Sequence, residues 1–109
     1  MIADGKDDTT MEIPDMDRTN VYAYPNPSAG SVTIRFPVNS QKDIEVSIYD
    51  IDGVFVWKKQ LNDYETRPGI NTVIWAAQNE MGQDVSNGVY IFTVSDGSRV
   101  IKGKIAIVR

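Results

Sequence analysis

Residues 24 to 36 read Tyr-Pro-Asn-Pro-Ser-Ala-Gly-Ser-Val-Thr-Ile-Arg-Phe, and the chain changes character within them. In Tyr24-Pro25-Asn26-Pro27 the two prolines hold φ near one value and remove two backbone donors. A strand can therefore end at Tyr24, but it cannot run on as a central one. The stretch Ser31 to Phe36 then alternates, with Val32, Ile34 and Phe36 on one face and Ser31, Thr33 and Arg35 on the other. A period of two marks a half-buried strand. Pro37 is expected to end it.

Upstream of this border neither a helical nor a strand period is visible. Residues 1–19 are read as an acidic flexible linker, with Ile13 and Met16 the candidates for local docking. Residues 1–20 hold six acids (Asp4, Asp7, Asp8, Glu12, Asp15 and Asp17) against Lys6 and Arg18, while residues 21–109 carry nine charges of each sign. Residues 20–109 form one folded unit in this reading, which suits a total length of 109 residues. A neutral domain without a basic stripe argues against general nucleic-acid binding, because that rests on neutralising phosphates. No apolar run has the roughly 20 residues needed to span a bilayer as a helix. The first residues lack the basic start and apolar centre of a signal peptide. If the native protein is exported, this chain is expected to be a piece of it.

Downstream, short β-type runs alternate with turn residues. Val21 to Tyr24 is the first and Ser31 to Phe36 the second. Asp43 to Tyr49 follows, with Ile44, Val46 and Ile48 inward. Asp52-Gly53 supplies the positive φ of a tight hairpin before Val54 to Lys59. Residues 60–69, with Asn62, Asp63, Pro68 and Gly69, read as a connecting loop, and Ile70 to Trp75 as the fifth strand. Gln78 to Asn87 is a polar loop, after which Gly88 opens a strand through Ser95. Asp96-Gly97 is a second hairpin turn. The last run, Arg99 to Val108, puts Ile101, Ile105 and Ile107 on one face and Lys102 and Lys104 on the other. Seven strands and no helix make the expected fold all-β, an antiparallel immunoglobulin-like (fibronectin III-like) β-sandwich.

The chain contains no cysteine and no histidine, which excludes thiol nucleophiles, Cys/His zinc sites and every triad built on histidine. Asp50 and Asp52 beside Gly53 have the start of a calcium loop without its closing glutamate, so turn chemistry is the preferred reading, with no metal. Glu80 and Asp84 share a second oxygen-rich loop and are read in the same way. The acids sit in turns and on polar strand faces rather than in one cleft, so no catalytic pair and no cofactor is expected. Trp57, Tyr49, Tyr64, Tyr22 and Tyr90 are the candidates for a carbohydrate platform. By strand parity Trp57 shares a face with Phe55, opposite Val54 and Val56, and core packing is the preferred reading for it. Trp75 is expected between the sheets. The last eleven residues hold Arg99, Lys102, Lys104 and Arg109 and no acid. These are either edge-strand charges that oppose aggregation or a strip that a partner reads.

Taken in order, Tyr24-Pro25-Asn26-Pro27, Val32 to Phe36, Val46 to Asp50 with Gly53 and Val56, Val73-Ile74-Trp75, Gly82, Val85 and Asn87-Gly88-Val89-Tyr90 resemble one bacterial superfamily. It comprises the immunoglobulin-like domain of flagellar hook-capping type and the type A C-terminal sorting domain of type IX secretion cargo. The resemblance covers residues 21–109. Gly53 then marks a hairpin turn, Gly88 a strand start that a side chain would obstruct, and Tyr90 a sheet position whose hydroxyl needs a partner. The resemblance implies a non-catalytic C-terminal module of a secreted or cell-surface protein, with a sorting or attachment role and a protein partner. Lys102, Lys104 and Arg109 are the candidate recognition residues, because the family's near-terminal basic residue falls on Gly103 to Arg109. A structural accessory domain of hook-capping type is the alternative.

Overall fold

The computed structural model describes residues 15–109. Their seven strands are β1 (Tyr22–Tyr24), β2 (Val32–Val38), β3 (Ile44–Asp50), β4 (Phe55–Leu61), β5 (Gly69–Trp75), β6 (Gly88–Ser95) and β7 (Val100–Ile107). All strand pairs are antiparallel, in a three-stranded sheet β1-β2-β5 and a four-stranded sheet β4-β3-β6-β7. The expected all-β sandwich of seven strands is the observed one. Of the linker expected over residues 1–19, residues 1–14 lie outside the described residues. Met16 is buried, and its carbonyl accepts a hydrogen bond from Arg99 Nη1 at 3.0 Å.

The alternating residues form the core. Val32, Ile34 and Phe36 of β2 face Ile44, Val46 and Ile48 of β3, and Phe92, Val94, Ile101, Ile105 and Ile107 complete the layer. Trp75 is fully buried there, its indole N–H donating to Gln78 O at 2.8 Å. Tyr90 packs edge-on against it at 5.5 Å, and its hydroxyl donates to Ser86 O at 2.7 Å. A large aromatic group can be buried in this way because its one polar atom keeps a partner.

Three local expectations change. Pro37 does not end β2, which continues to Val38 with Pro37 opposite Ile70. At most one ladder hydrogen bond is forfeited near a strand end, a loss the sheet tolerates where the neighbouring pairs remain. Gly88 is not obstructed, since a Cβ there would meet nothing within 4 Å; its requirement is φ of +155°. Trp57 and Phe55 do not share a face. A bulge between Ile48 and Tyr49 sets Trp57 opposite Ile48 but Phe55 opposite Tyr49, with Val56 as the extra residue. Trp57 and Val56 thus pack half-buried on the core, while Phe55 meets Tyr49 edge-on at 6.1 Å on the outer face.

Both turn assignments hold. In the β3–β4 turn Asp50 Oδ1 accepts from the backbone N–H of Asp52 and of Val54, each at 2.9 Å, and Gly53 takes φ of +85°. The Asp50 carboxylate is committed to organising that turn. In the β6–β7 turn Asp96 Oδ1 accepts from the N–H of Ser98 and Arg99, and Gly97 takes φ of +93°.

Candidate functional site: the terminal strand and its anchors

The outer face of the four-stranded sheet is set by register. Lys58, Ser47, Thr93 and Lys102 form one cross-strand row, and Phe55, Tyr49, Ile91 and Lys104 form the next. Lys58, Lys102 and Lys104 are exposed, and they flank a centre of Tyr49 and Ile91. A shallow depression of about 380 Å³ lies in this centre, floored by Tyr49, Ile91 and Thr93 and bounded by Asp50, Ile51 and Lys102. Lys58, Lys102 and Lys104 stand on this face with Glu45 and Asp50 beside them.

The strand bearing Lys102 and Lys104 is an edge strand, and its second half is held along that edge. Asn26 Nδ2 donates to Lys104 O at 2.7 Å, and Asn26 Oδ1 accepts from Ala106 N–H at 2.9 Å. Two residues later the backbone takes over: Ser28 N–H donates to Ala106 O and Val108 N–H donates to Ser28 O, both at 2.9 Å, in a parallel bridge. Both prolyl bonds of the tetrapeptide, Tyr24-Pro25 and Asn26-Pro27, are cis. Through the two Asn26 hydrogen bonds the tetrapeptide is a clasp on β7 as well as the end of β1.

Arg109 belongs to the same anchoring. Its guanidinium donates to the carbonyls of Val85 and, at 3.1 Å, Ala77, and lies 3.9 Å from the Asp84 carboxylate. Its backbone N–H donates to Asn87 Oδ1 at 3.0 Å. The receiving loop is ordered by Asn79, whose side-chain oxygen accepts from the N–H of Met81 and of Gln83. Of the three basic residues expected to recognise a partner, Lys102 and Lys104 share the outer face, whereas Arg109 is directed into this loop. The remaining motif residues, Trp75, Gly88 and Tyr90, shape the core and the loop ends. The Tyr90 phenol is held above its ordinary pKa by burial and by the Asp50 charge, partly offset by Arg109.

Two contributors were not singled out from the sequence. Lys58 joins the lysine face only through the register of β4 on β3. Gly103 is required by a contact: a Cβ at this position would lie 2.4 Å from Cε2 and Cζ of buried Phe92. Their only sequence signals were an exposed-face position and a glycine inside a strand pattern, which marks close approach. Among the described residues no group of three or more Asp or Glu is placed to hold a metal ion. No described helix is long and apolar enough to cross a membrane.

Residues 22–108 match the family described as the secretion system C-terminal sorting domain. The chain is a member of that family. Among curated proteins none matches the sequence. Three solved structures are similar in fold. PorZ of Porphyromonas gingivalis, an essential bacterial surface component of the type IX secretion system, is 26% identical with a TM-score of 0.60, over 84% of this chain and 12% of its own. Dimeric latent PorU of Porphyromonas gingivalis is 22% identical with a TM-score of 0.61, over 82% of this chain and 9% of its own. FlgD of Xanthomonas campestris, essential for flagellar assembly through hook capping, is 19% identical with a TM-score of 0.57, over 84% of this chain and 64% of its own. The chain thus spans about a tenth of the length of PorZ and of PorU. As a type IX sorting domain it is the sorting module of an exported bacterial protein, destined for the cell surface or the medium. The hook-capping likeness reflects a shared sandwich.

Proposed function

We propose that this sorting domain is non-catalytic and that a protein of the secretion machinery reads it on the outer face of its four-stranded sheet. Lys102 and Lys104 are the principal contacts, with Lys58 and the Tyr49–Ile91 centre beside them. One observation carries the reading: the two lysines project from a strand whose edge is clasped by Asn26 and Ser28 and whose end is tied down through Arg109. A charge pair held on a rigid strand loses little freedom on binding, which favours recognition by a preorganised partner. Arg109 acts here as a positioning residue.

Deleting residues 100–109 would remove Ile101, Ile105 and Ile107 from the core and unfold the domain, so charge reversal is the informative test. The Lys102→Glu/Lys104→Glu variant is expected to keep its unfolding midpoint and to lose export of a fused reporter. Export at the unaltered level from a folded double variant would refute the assignment of this face.

A further inference from the structure

The sandwich has four sheet edges, and three of them carry devices that oppose further strand pairing. Edge strand β1 is only three residues long and runs into Pro25 and Pro27. Edge strand β7 is covered by Asn26 and Ser28 over its second half and bears Lys102 and Lys104. Edge strand β4 carries Lys58, Lys59 and Gln60, with Lys59 on the inward face opposite Val46, and Glu80 N–H donates to Val56 O at 3.2 Å. Short strands, prolines, lysines and inward-facing charge are the usual protections of an edge.

The fourth edge, β5, has none of these. Its sequence Gly-Ile-Asn-Thr-Val-Ile-Trp holds no charge and no proline, and it pairs with β2 without a bulge. Asn71 Nδ2 occupies the carbonyls of Arg67 and Gly69 at its start. From Thr72 to Trp75, no backbone group is engaged outside the β2 ladder by any other described residue. Ile70 and Ile74 are 54% and 65% exposed, and Thr72 between them is exposed as well. This is the combination of features expected of an edge that accepts a strand.

We propose that β5 pairs with β5 of a second copy of this chain, antiparallel about a two-fold axis through Thr72. The pattern is self-complementary in that register: Ile70 falls opposite Ile74 of the second copy, Thr72 opposite Thr72, and Ile74 opposite Ile70. An isologous contact needs a surface that matches itself, and an antiparallel strand centred on one residue provides it. Like charges directly opposite would oppose the pairing, and β5 has none. The outward-facing row also continues beyond the junction. Tyr24, Thr33 and Ile74 already lie side by side across the three-stranded sheet, and Ile70 of the second copy extends that row. The two three-stranded sheets become one sheet of six. A pairing this short buries far less than the ~800 Å² per partner of a standard interface, so the dimer is weak and forms at high local concentration, as on a crowded cell surface.

The chain has no cysteine, so a single introduced thiol reports the contact unambiguously. Residues directly opposite in an antiparallel pair have Cα atoms about 4.5–5.5 Å apart, within disulfide range. Under mild oxidation the full-length Thr72→Cys chain is expected to cross-link at least tenfold faster than Ser98→Cys, an exposed control at the β6–β7 turn. Thr72→Lys should weaken self-association in sedimentation equilibrium by tenfold or more while leaving the unfolding midpoint in place. Equal cross-linking rates for the two thiols, or a wild-type chain that stays monomeric at millimolar concentration, would overturn the proposal. So would amide protection at residues 72–75 that appears with added extended peptides but not with rising concentration of the chain itself.

Discussion

Asn26 offers the sharpest test of the clasp. Replacing it by alanine removes the donor to Lys104 O and the acceptor from Ala106 N–H, two hydrogen bonds of 2.7 and 2.9 Å. A protein hydrogen bond contributes about 0.5–1.5 kcal/mol net, and an exposed one lies toward the lower end because water replaces it. Asn26 is exposed, so the expected loss is about 1–2 kcal/mol, or roughly 5–10 °C in Tm for a domain of this size. The two bonds can be separated. Asn26→Asp keeps an acceptor for Ala106 N–H but sets a carboxylate oxygen against the Lys104 carbonyl, so its stability should fall about as far as that of Asn26→Ala. Amide exchange then distinguishes them: the Ala106 amide should exchange faster in Asn26→Ala and remain protected in Asn26→Asp. An Asn26→Ala chain with an unchanged midpoint and an unchanged Ala106 exchange rate would refute the clasp.

Gly103→Ala should cost about 1–3 kcal/mol through overpacking, because the new methyl meets the buried Phe92 ring at 2.4 Å. Calorimetry of Gly103→Ala/Phe92→Leu should show part of that loss recovered if the contact is the cause. Arg109→Ala should destabilise by about 1–2 kcal/mol and accelerate exchange of the Val85 amide, which donates to Ala77 O beside the guanidinium. Arg109→Lys should restore only part, since an ammonium group does not reproduce the fork that reaches both carbonyls. The Asp96 carboxyl is held below its ordinary pKa: burial opposes ionisation, but the N–H groups of Ser98 and Arg99 and the charges of Lys42 and Arg99 outweigh it. Its contribution is therefore fully present above the unfolded value near 4 and is lost as pH falls toward the lower folded value. Acid titration followed by circular dichroism should accordingly show a shallower stability loss below pH ~4 in Asp96→Asn than in wild type.

Much of the strand plan is local and was readable. Val32-Ile34-Phe36, Ile44-Val46-Ile48 and Ile101-Ile105-Ile107 each declare a buried face by alternation, and the structure buries all of them. Asp52-Gly53 and Asp96-Gly97 declare their turns because positive φ is inexpensive for glycine. The elements that escaped depend on a partner strand. The bulge at Val56 exists only relative to Tyr49 and Ile48, so strand parity alone put Trp57 and Phe55 on one face. Pro37 reads as a terminator until β5 is placed beside it.

The candidate site divides in the same way. An all-β sandwich, a lysine-bearing face on the terminal strand and a break in pairing at Tyr24-Pro25-Asn26-Pro27 could be read from residue order, because each follows from residues a few positions apart. What these segments touch depends on the folded arrangement. Asn26 and Lys104 are 78 residues apart, and no local pattern links a turn asparagine to the edge of the last strand. It likewise turned Arg109 into the Ala77–Val85 loop and left β5 the edge without protection. Alternation and turn propensity act over a few residues, whereas edge pairing and side-chain clasps are set by which distant strands the folded core brings side by side.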